Sequence, residues 1–110
     1  FRHLNDLEKQ DSDLFFSSKG HDAPAIYAIT MAADKLPFEL IHKLRRLGGL
    51  PGHPDIETPS IIANTGSLGM GISKAKGMIA ASRLLAKRHR AFVLTGDGEL
   101  QEGQIWESLG

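Results

Sequence analysis

Ala91-Phe92-Val93-Leu94-Thr95-Gly96-Asp97-Gly98-Glu99-Leu100-Gln101-Glu102-Gly103 is the stretch whose reading decides the fold. Its first five residues are mostly apolar or β-branched and predict a short buried strand, which Gly-Asp-Gly breaks abruptly. Gln104-Ile105-Trp106-Glu107-Ser108-Leu109 then reads as a helix. A strand, a tight glycine turn and a helix start put Asp97 at the carboxyl end of a parallel strand, where open α/β sheets collect their ligands. The flanking glycines let the backbone approach a bulky anion, and a helix N-terminus favours negative charge. A carboxylate beside a phosphate points to a hard divalent cation, magnesium or calcium. Taken alone, the same residues also suit an ordinary strand-to-helix turn, because Asp-Gly is a common turn former. They match neither Gly-x-Gly-x-x-Gly nor a P-loop.

Composition narrows the class. The chain has 110 residues, 13 basic and 13 acidic, and 41% are hydrophobic. That predicts a globular α/β unit of one domain, large enough to bury a core. Zero net charge argues against a nucleic-acid partner. The densest basic cluster, Lys87-Arg88-His89-Arg90, is expected to close a helix, where cations complement the dipole. No apolar run reaches membrane-spanning length, and the first residues are not a signal peptide. With no cysteine as well, the expectation is a cytoplasmic protein without a membrane partner. The five histidines are scattered, so a transition-metal centre is not expected. Phe1 in place of an initiator Met and the stop at Gly110 suggest part of a longer polypeptide.

Outward from the deciding stretch, Ile72–Lys87 predicts a helix that feeds the strand. Leu14-Phe15-Phe16-Ser17 predicts another strand, and Ala25–Ala33 a helix with Pro24 near its first turn. Leu36, Leu40, Leu44 and Leu47 form an apolar stripe that predicts a helix over Pro37–Leu47, stopped by Gly48-Gly49. Between Leu50 and Gly71 the prolines and glycines predict a long loop, a feature usually functional or disordered. Thr65-Gly66-Ser67-Leu68-Gly69-Met70-Gly71 sits just before a predicted helix, so its amides could cradle a ligand or merely open the helix. His21 and His53 each follow a glycine, in Lys-Gly-His-Asp and Pro-Gly-His-Pro. A lone loop histidine is more often exposed than catalytic; two beside glycine-rich loops shift that balance modestly.

In order along the chain, these pieces resemble the N-terminal, diphosphate-binding half of transketolase. Ser18-Lys19-Gly20-His21-Asp22-Ala23-Pro24-Ala25-Ile26-Tyr27 is similar to the family's Ser-Lys-Gly-His-x-Ala-Pro-x-x-Tyr segment. Pro51-Gly52-His53-Pro54 resembles its Gly-His-Pro loop, and residues 65–71 its Thr-Gly-x-Leu-Gly-x-Gly loop. Gly96–Gly103 resembles the opening of the thiamin-diphosphate motif. The likeness runs from about Asp13 to Gly110, and the wording around His21 is nearest the shorter bacterial and archaeal enzymes, some of them split over two subunits.

The resemblance implies part of a doubly wound parallel-sheet α/β domain, with residues 1–110 forming a partial diphosphate-binding domain. It implies thiamin diphosphate and magnesium as cofactors, with calcium able to replace the latter. The implied reaction moves a two-carbon ketol unit from a ketose phosphate to an aldose phosphate, with the cofactor as electron sink. Asp97 would ligate the metal and the Gly98 amide would meet the diphosphate. Gly66, Ser67 and Leu68 match the loop facing the cofactor rings, and His21 a histidine near the diphosphate and substrate channel. His53 matches a histidine that hydrogen-bonds the donor sugar, a task suited to an imidazole that can donate and accept. Glu102 matches an acid at the interface between subunits, coupled to a glutamate of the pyrimidine-binding domain or subunit. The implied assembly is a homodimer or heterotetramer. A further Asn ligand, an amino-terminal histidine loop, the activating glutamate and the phosphate-binding arginines are expected outside residues 1–110. Deoxyxylulose-phosphate synthase and dehydrogenase E1 components share the architecture, but Pro-Gly-His-Pro with Lys-Gly-His favours transketolase. A non-catalytic subunit keeping the fold is the alternative of another class.

Overall fold

The computed structural model describes residues 4–110. Two parallel strands, β1 (Asp13–Ser17) and β2 (Arg90–Leu94), lie side by side in the register Asp13↔Arg90 through Ser17↔Leu94. Between them the chain forms helices α1 (Ala23–Ala32) and α2 (Gly71–Leu84), and after them the short helix α3 (Gly103–Ser108). This is the expected α/β architecture, with a parallel sheet and a helix on the crossover between its strands. The expected strands and the first, third and last of the expected helices are all present, with ends shifted by up to three residues.

Two small apolar clusters hold the layers. Alternation along β1 turns Phe16 toward Ala75 of α2, with Ala63 buried beside it and Met78, Ala91 and Val93 packed around them. The second cluster joins Ala23, Tyr27 and Met31 of α1 to Leu36 and Leu50. Leu14, completely buried, contributes on the order of 2 kcal/mol through lost apolar surface alone. Asn5 lies against β1: its amide nitrogen donates to the Phe15 carbonyl at 2.8 Å and its oxygen accepts the Phe15 N–H at 2.6 Å. At the start of β2, Arg90 makes a two-pronged contact with Asp13, both distances 2.8 Å, which holds the Asp13 carboxyl below the ordinary carboxylate range.

Four local expectations are corrected. Among the described residues β2 pairs with β1 alone, so it is not the buried strand expected, and Phe92 and Leu94 stay about half exposed. The Leu36–Leu47 stripe does not continue as an α-helix; a single 3-10 turn (Phe38–His42) is followed by a reversal. Leu50 N–H reaches Lys43 O at 3.0 Å and Arg45 N–H reaches Leu50 O at 2.7 Å, which swings Leu50 back under Tyr27. Burying Leu50 wins over a further helical turn, and Leu47 is left wholly exposed. Next, α2 stops at Leu84, not Lys87: Ala86 takes φ 55°, and the Ala86 and Lys87 amides fold back onto Arg83 and Ser82. That is a Schellman closure with alanine in the glycine position. The basic cluster is therefore no solvated helix end. His89 is buried, its ring bridging Ser82 Oγ and Lys9 O at 2.9 Å each, and Arg90 begins β2. Finally, the Gly-Asp-Gly turn leads into a 3-10 turn (Glu99–Gln101) before α3, so no long helix dipole points at it.

Candidate functional site

The site forms where both strands end. The parallel ladder extends one residue beyond them, Ser18 N–H donating to Leu94 O at 2.8 Å, so the loops after β1 and β2 leave the sheet side by side. Lys19 then passes over the Gly-Asp-Gly turn: its Cδ lies 3.3 Å from where a Cβ on Gly96 would stand. Gly20, at φ +75°, is the point of convergence. A Cβ there would stand 2.9 Å from Gly66 N, from Thr65 Oγ1 and from the His53 ring. Three motifs far apart in sequence thus meet around one missing side chain, and glycine is the residue that lets them.

The Pro51–Pro54 loop is tied down at both ends. Tyr27 donates its hydroxyl to Pro51 O at 2.8 Å, and Thr65 donates to Pro54 O at 3.1 Å. The His53 ring between these ties lies 3.7 Å from a Cβ built on Gly66. Burial, with the negative charge of Asp55 as a lesser cause, pushes the Tyr27 hydroxyl from 10.0 up to about 12. The chain holds one tyrosine, so this is measurable. Its contribution to folding should be intact below pH 10 and fade as the pH rises toward 12. In an alkaline absorbance titration, the difference between the native protein and Tyr27→Phe should have its midpoint near 12. A midpoint near 10 would mean that the hydroxyl is not buried as described.

Sequence reasoning missed the centre of this arrangement. Glu99, 2% exposed, accepts the Gly69 N–H on Oε1 at 2.8 Å and the Gly96 N–H on Oε2 at 3.1 Å. Buried Ser18 also donates its hydroxyl to Oε1 and accepts the Gly71 N–H at 3.1 Å. Burial pushes the Glu99 carboxyl upward, but the Ser18 and backbone hydrogen bonds and nearby His21 outweigh it, so the group lies below the ordinary carboxylate range. Two inner amides of the glycine loop, those of Gly69 and Gly71, are therefore engaged by the protein itself. Asp22 was also passed over: Ser17 donates to its Oδ2 at 2.6 Å, while buried Oδ1 has no hydrogen-bond partner among the described residues.

The residues singled out from sequence share one property. His21, His53, Gly66, Ser67, Leu68, Asp97, Gly98 and Glu102 are all exposed, whereas Ser18, Gly20, Pro54, Gly69, Gly71 and Glu99 among them are buried. The contacts around Gly20 bring His53 and Gly66 together, with His21 next in the chain. Glu102 lies against Gly69, its Cβ 3.2 Å from one built there. Among the described residues no group of three or more His, Cys, Asp or Glu gathers as a closed metal site. An exposed carboxylate at a glycine turn, as Asp97 is, fits magnesium bound through a diphosphate, which takes one or two protein carboxylates and fills the octahedron with phosphate and water. Asp97 would be this chain's carboxylate, and the exposed Gly98 beside it leaves its amide open to an anion.

The chain matches the family profile of the transketolase thiamine diphosphate binding domain over residues 2–110. It is 38% identical to one of the subunits of apulose-4-phosphate transketolase from Actinobacillus succinogenes, over 98% of this chain and 41% of that protein. A 6-deoxy-6-sulfo-D-fructose transketolase subunit, SqwG of a Clostridium species, is 42% identical over 89% of this chain and 36% of its own length. Transketolase of Pongo abelii is 38% identical over 99% of this chain and 19% of its own length. The chain thus spans less than half of each of these relatives.

Proposed function

The chain belongs to the transketolase family, through its thiamine diphosphate binding domain, and we propose that it forms the diphosphate- and metal-binding face of a ketol-transferring enzyme. The donor would be a ketose phosphate and the acceptor an aldose phosphate. The observation that carries this reading is the convergence of the Lys-Gly-His, Gly-His-Pro and glycine loops on Gly20, beside the Gly-Asp-Gly turn. When bound, thiamin diphosphate would supply the electron sink for breaking the carbon–carbon bond next to a ketose carbonyl.

The chain's own residues then divide the work. Asp97 would hold magnesium and the Gly98 amide would donate to the diphosphate, both free to do so because Glu99 carries the structural load behind them. The exposed backbone of Gly66, Ser67 and Leu68 would line the ring-binding side. His21 would stand near the diphosphate. His53, fixed between the Tyr27 and Thr65 ties, would hold the donor's hydroxyl and move a proton at its imidazole nitrogen. Glu102, exposed at the end of the turn, would face the pyrimidine-binding domain or subunit. The relatives that are themselves single subunits of transketolases support a two-chain assembly, heterotetrameric if each half pairs. No helix among the described residues is long and apolar enough to cross a membrane, which accords with a proposed cytoplasmic enzyme.

The test is direct. The full protein, supplied with its complementary domain or subunit, thiamin diphosphate and magnesium, should consume xylulose 5-phosphate when given an aldose phosphate. No turnover with any ketose phosphate would defeat the proposal. Within that assay, His53→Ala should lower kcat/KM for the ketose by about 100-fold, the lower end for a lost acid–base group. Cofactor affinity should stay within about twofold, since His53 would touch the sugar and not the diphosphate. Unaltered ketose kinetics would return His53 to the status of an ordinary loop residue.

A further inference from the structure

The carboxylate of Glu99 does something a buried surface-type residue has no packing reason to do. It reaches three separate segments at once: Ser18 after β1, Gly69 in the glycine loop and Gly96 before the Asp97 turn. Its bond from Gly96 N–H closes a four-residue ring that encloses Asp97 and Gly98. Its bond from Gly69 N–H ties that ring to the loop leading into α2. Ser18, accepting from Gly71 N–H while donating its hydroxyl to Glu99 Oε1, links the first residue of α2 to the same carboxylate. An isolated buried carboxylate would be costly; here each oxygen is met by donors, so the charge is held where it stands.

Resting on the function proposed above, we propose that Glu99, with Ser18 as its partner, is a positioning residue that sets the separation and angle between the Asp97–Gly98 turn and the glycine loop. It touches neither metal nor diphosphate. By occupying the inner amides of Gly69 and Gly96 with an internal anion, it reserves the outer edge of the cradle for the external one. Only the outward groups, Asp97 and the Gly98 amide on one side and residues 66–68 on the other, are left for the ligand.

Glu99→Gln keeps the shape but turns one acceptor into a donor, which must face the Gly69 amide, the Gly96 amide or the Ser18 hydroxyl. In the full protein the expected result is an affinity for magnesium–thiamin diphosphate weakened about 10- to 100-fold, the range for losing a hydrogen bond to a charged group. At saturating cofactor, kcat should stay within about twofold, because no reacting atom is touched. Without cofactor, hydrogen exchange at Gly69 and at 96–98 should quicken while that of β1 and β2 stays as it was. Ser18→Ala should reproduce a weaker form of the same pattern and add little to Glu99→Gln, as expected for members of one network. Equal cofactor affinity and equal exchange in both variants would overturn the inference. So would loss of folded protein in both, since the pair would then serve stability alone. If the native protein binds no magnesium–thiamin diphosphate, the proposed function falls as well; native binding with indifferent variants removes only the role of Glu99.

Discussion

Asp97→Ala in the full protein is expected to weaken magnesium-dependent binding of thiamin diphosphate by at least about 100-fold, with thermal unfolding unchanged. Even removal of a group behind a metal ligand typically costs 10- to 100-fold, so loss of this chain's carboxylate ligand sets a floor at the upper end. The fold should not notice, because Asp97 is exposed and the hydrogen bonds that shape its turn run through Glu99 and Gly96. Calorimetric titration with both ligands, beside a melting curve, separates the two effects. Unchanged affinity would remove Asp97 from the metal.

Gly20→Ala should destabilise the fold strongly, since it combines a left-handed backbone with a crowded position. Alanine at φ +75° costs roughly 1–2 kcal/mol in the left-handed region. Its Cβ also meets three groups at 2.9 Å, one of them a backbone nitrogen that cannot swing aside. Overpacking of that kind adds roughly 1–3 kcal/mol. The sum, about 2–5 kcal/mol, should lower the unfolding midpoint in denaturant, and any folded remainder should have displaced His53 and lost ketose turnover. Gly77→Ala is the control: its Cβ enters open space on α2, where alanine is the better helix former. Equal midpoints for Gly20→Ala and the native protein would mean that the three loops do not close on this position.

Much of this was legible in the sequence, and what escaped shares a cause. β1, β2, α1 and α2 were readable because strand composition and helix punctuation are local signals. The Leu36–Leu47 stripe misled because leucines at helical spacing also suit a 3-10 turn and a reversal that sends Leu50, not Leu47, into the core. His89 read as one of four basic surface residues, yet its burial depends on Lys9, 80 positions away. Ser18 and Glu99, 81 positions apart, carry no local mark of being partners. A glutamate after a glycine turn looks solvated until the distant loop that encloses it is known. The exposed candidate residues were singled out through motif wording; the buried scaffold beneath them carries no such local mark.

The direct pairing of β1 with β2 has a consequence in time. Asp13 and Arg90, which open the ladder, are 77 positions apart. Closing a chain segment of that length costs about 4 kcal/mol before any contact is repaid. Helices α1 and α2 can form early from near neighbours, but the strand pair has to wait for the ends to meet. Ser18 finds Leu94 only then, and the loops of Gly20, Gly69 and Asp97 come together after that step, not before. During synthesis, the residues that converge on Gly20 would precede the Asp97 turn and the Glu99 ties that complete the site. Competence to take up an anion would therefore arrive late and all at once, making ligand capture a report on the last stage of refolding.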